Sequence, residues 1–234
     1  FADFANRGDG VREDTFTDAK WYNKNRLDQY DYAIDGAAAN VIAAVASVES
    51  NLPEGNDNVY DFVRGVFDYI RDNIQYDDDA PSPSRSGPSC LGAGIGDCDE
   101  QTNAFLSMLR VRGVPGWYVF GVLSSQSFTQ WEAHAWGYIQ LPMSDEWCNE
   151  MNIDLNTCFV EASVDVTNNK WLLHTSSALI DWIEKPDPTG TYINAFYRPI
   201  SFSHNNDGDG IDRDRTFDTV GAINYGGGKF PVYQ

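Results

Sequence analysis

The sequence predicts an α+β fold, with helices from the first half packed on a mostly antiparallel sheet from the second. Three observations carry this. Apolar residues recur at three- and four-residue spacings up to about residue 112, the signature of helices with one buried face. Beyond Pro115 the pattern changes to short, aromatic and β-branched segments with period two. The 234 residues show no internal repeat and no second globular unit, so helices and strands share one core.

Residues 1–29 are polar with little periodicity and are expected to form an extended arm. The domain proper is expected over 30–200, and 201–234 as a C-terminal extension packed on it. "YAIDGAAANVIAAVASVES" reads as the first helix, with Ile34, Ala37, Ala38, Val41, Ile42, Val45 and Val48 on one stripe. "NLPEGND" breaks it. "NVYDFVRGVFDYIRDNIQY" is the second, with Asp57 or Asn58 as its cap and Val59, Phe62, Val63, Val66, Phe67, Ile70 and Ile74 inward. "DDDAPSPSRSGPS" reads as a loop by its Pro, Ser and Gly. "DEQTNAFLSMLRVR" is the third helix, with Ala104, Phe105, Met108 and Leu109 inward and Gly113 and Pro115 ending it. "WYVFGVLSS", "AHAWGYIQLP", "CFVEASVDV" and "KWLLH" follow as strands. Trp117, Trp131 and Trp136 fit either a groove or the core.

The formal net charge of −19 argues against nucleic acid or an anionic membrane as partner. No apolar run reaches the length of a membrane span. The chain opens "FADFANRGDG", without an initiator Met or a signal sequence, and is expected to be a processed product. Cys148 and Cys158 flank "NEMNIDLNT", a polar loop between strands. A local disulfide there would imply an oxidising compartment; the alternative is two free thiols.

Chemistry concentrates in "GDCDEQTNAFLSML". Cys98 follows a Gly-Asp turn at the start of the third helix. Unpaired N–H groups and the positive end of the helix dipole favour a thiolate there, and the same N–H groups suit an oxyanion. Gly96 allows a tight turn. The alternative is a small residue filling a crevice. Of the three histidines, His134 lies within an alternating strand, where it shares a face with Glu132 and Trp136. His174 and His204 read as surface residues. Glu161 and Asp165, of one parity in "CFVEASVDV", are the carboxylates able to orient an imidazole. Cys90 fits a redox partner for Cys98 or a bystander.

"GDCDEQTNAFLSMLRVRGVPGWYVFGVL", "AHAWGYI" and "FVEAS", in that order, resemble the transglutaminase-like superfamily of cysteine enzymes over about residues 57–174. Tyr76 in "DYIRDNIQYDDD" stands where a tyrosine is usual upstream of the family's nucleophile. The resemblance implies a papain-like core with Cys98 as nucleophile, His134 as base and Glu161 as third member, Asp165 being the alternative. The family's third element carries Asp, where this chain has "EAS". It also implies acyl transfer through a thioester, with water or an amine as acceptor, on a protein or peptide substrate. A non-catalytic binding or structural module of a cell-surface assembly is the competing expectation. The chain is expected to be secreted or on the cell surface, with no cofactor required for chemistry.

"HNNDGDGIDRDRT" places Asn205, Asp207, Asp209, Asp212 and Asp214 around Gly208 and Gly210. These oxygens fit a structural calcium ion, in a loop that departs from the EF-hand form because Thr216 stands where a bidentate Glu is expected. A solvated acidic loop fits equally.

Overall fold

The computed structural model describes residues 33–52, 59–81, 84–124, 130–155, 157–173, 175 and 177–183. The N-terminal arm, the C-terminal extension with its acidic loop, His174 and His204 lie outside the described residues. Helix α1 is Ala39–Ser50 and α2 is Val59–Asn73. In α2, Val59, Phe62, Val63, Val66, Phe67 and Ile70 are buried, as their spacing predicts. In α1 the buried line is Val41, Ala44, Val45 and Val48. Ile42, expected on that line, is 48% exposed because it stands about 100° around the helix from Val41, off the face that Val41, Ala44, Val45 and Val48 bury.

Helix α3, Gly87–Ala93, lies in the segment expected to be loop. The Ser86 hydroxyl caps it by accepting the Ser89 N–H at 3.2 Å, and Pro88 sits in the first turn, where no intrahelical N–H is lost. Gly94 closes it at φ 69°. Helix α4 is Cys98–Val111, and its residues from Glu100 to Leu109 are all buried. It is the central helix, touching α1, α2, α3 and the sheet. Gly87 allows α3 to rest directly on it, since a Cβ there would stand 2.4 Å from the Asn103 carbonyl oxygen. Gly113, at φ 65°, ends the run as expected.

Two short strands, β1 (Gln75–Tyr76) and β2 (Ile95–Gly96), pair in parallel and bracket the loop that contains α3. The main sheet holds β3 (Gly116–Ser124), β4 (Trp131–Pro142), β5 (Phe159–Val164) and β6 (Ala178–Ile183), all antiparallel in the order β5-β4-β3-β6. Alternation splits its side chains between two clusters. Tyr118, Ala135, Ile139 and Leu141 join Phe62, Phe67, Phe105 and Leu109 of the helix layer. Trp117, Val119, Trp136 and Tyr138 pack with Ala178 and Ile180 on the other face. Trp117 and Trp136 are therefore core, not groove.

The sequence reading of "KWLLH" as a strand fails. Lys170 makes only an isolated bridge to Asp165, and left-handed φ values of 52° at Asn169 and 49° at Leu172 turn the chain. The strand lies further on, in β6. Between β4 and β5, a short helix α5 (Asp145–Glu150) carries Cys148, which is joined to Cys158 by a disulfide. Among the described residues no helix is long and apolar enough to cross a membrane.

Candidate active site

The start of α4 is built by reciprocal capping. The Asp97 carboxylate accepts the N–H groups of Asp99 (3.0 Å) and Glu100 (3.2 Å), and the Glu100 carboxylate accepts the Asp97 N–H (3.3 Å). Glu100 is fully buried and takes two further bonds, from the Arg85 backbone N–H at 2.7 Å and the Arg85 guanidinium at 2.8 Å. Arg85 also pairs with Asp77 at 2.9 Å. Ser84 donates to Asp99 (3.1 Å) and Asn103 to the Arg85 carbonyl (3.3 Å). The Pro- and Ser-rich loop is thus tied to the first turn of the helix that presents Cys98. Burial, then the charge of Asp99, push the Asp97 carboxyl up to about 6 despite its two N–H donors.

Gly96, expected to allow a tight turn, serves close approach inside the core. A Cβ there would lie 2.7 Å from the Cys90 sulfur and 2.9 Å from the Glu100 Cβ. Cys90 itself is fully buried in the helix-side core, and burial pushes its thiol pKa well up.

His134 is buried in the open part of β4. Pairing with β5 stops at Gly137↔Val164, so the strand from Trp136 back towards Trp131 has no neighbour from β5. Asp165, one residue beyond that last pair, meets the ring: His134 Nε2 lies 2.8 Å from Asp165 Oδ2. Asn168 completes the group. Its side-chain amide donates to Asp165 Oδ2 at 2.9 Å, and its backbone N–H donates to Asp165 Oδ1 at 3.0 Å. The Asn168 Nδ2 also lies 3.1 Å from His134 Nε2. A carboxylate oxygen only accepts, so the bond to Asp165 assigns a proton to Nε2, and in the neutral ring Nδ1 is then the acceptor. Trp136 stacks on the imidazole with centroids 5.7 Å apart.

Glu161 does not reach the imidazole. Register sets it opposite Gln140, whose amide donates to it at 3.2 Å. Gln140 is six residues along β4 from His134, or roughly 20 Å at about 3.3 Å per residue. The alternative carboxylate, Asp165, holds the position instead, because β5 runs antiparallel and its end, not its beginning, approaches His134.

Cys98 approaches β4 from the helix layer, half-buried, with the backbone N–H of Ala135, the residue after His134, near enough to oppose the rise in its thiol pKa. A contact between Thr167 and Gln101, 3.4 Å, holds the turn after Asp165 against the first turns of α4. The Tyr76 phenol, half-exposed on β1, lies within the field of the thiol. The expectation of a depressed thiol pKa does not hold. Burial raises it, the charges of Asp99 and Asp97 raise it further, and the Ala135 N–H offsets only part of this. The thiol also points a weak S–H bond at Asp99 Oδ1, 3.7 Å away, where the Tyr118 hydroxyl donates at 2.8 Å.

Asn168, Arg85, Asp99 and Tyr118 were not singled out from the sequence. The Asp97–Glu100 spacing was a legible capping box; nothing in "VTNNK" marked Asn168 as a partner of a distant histidine. Among the described residues no group of three or more His, Cys, Asp or Glu is arranged to hold a metal ion.

A family model described as the transglutaminase-like superfamily matches residues 46–149. No curated protein matches the chain. Among solved structures, a "putative cysteine protease" from Cytophaga hutchinsonii aligns at 15% identity with a TM-score of 0.41, over 60% of this chain. The chain spans 41% of that structure's length. The family match takes in Cys98 and His134 and ends before Asp165. Over residues 46–149 the chain is similar to the transglutaminase-like superfamily.

Proposed function

We propose that the protein is a cysteine enzyme that transfers an acyl group through a thioester on Cys98. The observation that carries this reading is the buried His134–Asp165 pair at 2.8 Å, adjoining Ala135, whose backbone N–H lies near the Cys98 thiol. With its proton on Nε2 and fixed by Asp165, the imidazole has Nδ1 available as a base. Because burial and the flanking carboxylates keep the proton on sulfur at rest, His134 removes it as the sulfur attacks. The S–C bond forms at the carbonyl carbon and the imidazolium then returns the proton to the departing nitrogen. Water or a primary amine, deprotonated by the same imidazole, releases the acyl group.

The helix start supplies less than its sequence suggests. Asp97 takes the Asp99 and Glu100 N–H groups with its side chain and the Gln101 N–H with its carbonyl. The Cys98 N–H is the first-turn donor that this cap leaves for a substrate oxyanion. The disulfide is compatible with an oxidising compartment, and we assign the protein to the cell exterior on that ground. The acidic loop, with its calcium alternative, belongs to this extracellular reading as a structural element.

The test is product analysis with a glutamine-containing peptide, with and without a primary amine, on wild type and C98A. Ammonia release with amine incorporation identifies transamidation, and backbone cleavage identifies a protease. Absence of any turnover, together with iodoacetamide labelling of Cys98 no faster than of buried Cys90, would support the non-catalytic module instead.

A further inference from the structure

Behind the His134–Asp165 pair, on the sheet face away from α4, lies a cavity of about 260 Å³. Asp165 and Asn168 form part of its wall; Cys98 does not. Its volume suits one amino-acid-sized group, below the usual range for larger ligands.

The polar lining has a surplus of donors. Ser163 accepts the Trp136 indole N–H at 3.2 Å, which leaves its own proton to point elsewhere. Thr175 and Ser177 share one hydrogen bond at 3.0 Å and have a second hydroxyl proton between them. The Ser124 hydroxyl oxygen is buried without a hydrogen-bond partner among the described residues, a costly state unless another group satisfies it. Lys170 also lines the cavity, and its side chain has no ion-pair partner among the described residues. Asp165 is the one carboxylate in the wall among the described residues, and His134 and Asn168 already occupy both of its oxygens. Leu123 and Ala178 supply apolar surface beside these donors.

We infer that this cavity binds an organic carboxylate, with its oxygens on Lys170 and the neighbouring hydroxyls and its carbon stem against Leu123 and Ala178. An anion suits a lining of hydroxyl donors and one cation; an apolar stem suits the remaining wall better than a hydrated inorganic ion does. The acidic net charge opposes this only at long range, because physiological salt screens it beyond about 8 Å. The site stands whether or not Cys98 is a nucleophile. Its position against Asp165 makes it a subsite of the proposed reaction only if that reading holds.

The experiment therefore measures binding on the full-length C98A protein, using calorimetry and the Trp136 indole N–H resonance. Isovalerate is the first probe and isovaleramide its uncharged control. N-acetyl-leucine and N-acetyl-glutamate α-methylamide then distinguish a chain-terminal carboxylate from an acidic side chain. Isovalerate is expected to saturate and shift the Trp136 signal, and the amide is not. K170M is expected to weaken binding about tenfold, the loss of one charge-assisted bond. S124A is expected to weaken it about threefold while leaving unfolding stability unchanged or higher, since an unpartnered buried hydroxyl is removed. No shift with any of the carboxylates at tens of millimolar, equal binding of the amide, or unchanged affinity in K170M would overturn the assignment.

Discussion

Replacing Glu100 with Ala should test how the helix that presents Cys98 is anchored. Glu100 is fully buried and accepts three bonds: Arg85 N–H at 2.7 Å, Arg85 guanidinium at 2.8 Å and Asp97 N–H at 3.3 Å. Loss of the capping half is worth about 1 kcal/mol. Removing one partner of a buried ion pair costs about 3–5 kcal/mol when the other is left alone. Arg85 is not left alone: it is 22% exposed and keeps Asp77 at 2.9 Å, so the low end applies. The two effects share one side chain and do not simply add, which gives roughly 3 kcal/mol in all. In a urea titration the midpoint should fall by roughly 1–3 M with an unchanged slope, since slopes of about 1–3 kcal/mol per M are usual. R85M combined with E100A should lose less than the two single losses together. A loss below about 1 kcal/mol for E100A, or full additivity with R85M, would refute the anchoring argument.

Three further outcomes follow from the same structure. The raised Asp97 carboxyl, at about 6 in the folded chain against roughly 3.9 unfolded, makes its charge a cost that is fully present above pH 6 and gone below the unfolded value. D97N keeps a capping oxygen without the charge, so it should melt higher than wild type at pH 8 and converge with it near pH 4; a lower melting point at pH 8 would reverse the sign. The Cys148–Cys158 bridge closes a span of 10 residues, and C148S/C158S should lose about 2.7 kcal/mol in denaturant titration if loop entropy dominates. G96A should lose about 1–3 kcal/mol from overpacking against Cys90 and Glu100, and a neutral result would show that α3 and α4 can part more easily than the 2.7 Å approach implies.

The sequence was readable where one rule acted alone. The α2 stripe, the Gly113 stop and the strands from Gly116 to Pro142 follow from periodicity and backbone preference, and all are found. Reading failed where tertiary contact overrode composition. "SGPS" looks like a turn, yet Ser86, Pro88 and the approach of Gly87 to Asn103 make it a helix. "KWLLH" has strand residues, but Asn169 and Leu172 turn it out of the sheet. At the candidate site, motif order singled out Cys98 and His134 but did not separate Glu161 from Asp165. Both share a parity, and only the register of β5 on β4 separates them. The raised thiol has the same origin: the N-terminal helix position was visible, whereas its burial among Asp97 and Asp99 depended on the packed loop.

The central claim is that Cys98 is activated by His134 held by Asp165. The most direct measurement is the rate at which Cys98 becomes acylated by p-nitrophenyl acetate at pH 7.5, followed by intact mass and peptide mapping in wild type, H134A, D165N and E161Q. The account predicts that H134A and D165N slow acylation of Cys98 by about two orders of magnitude, the lower range for a general base, with melting temperatures close to wild type. E161Q should acylate within about twofold of wild type, since Glu161 faces Gln140 and not the imidazole. Wild-type rates in D165N, or a loss in E161Q as large as in D165N, would contradict the account.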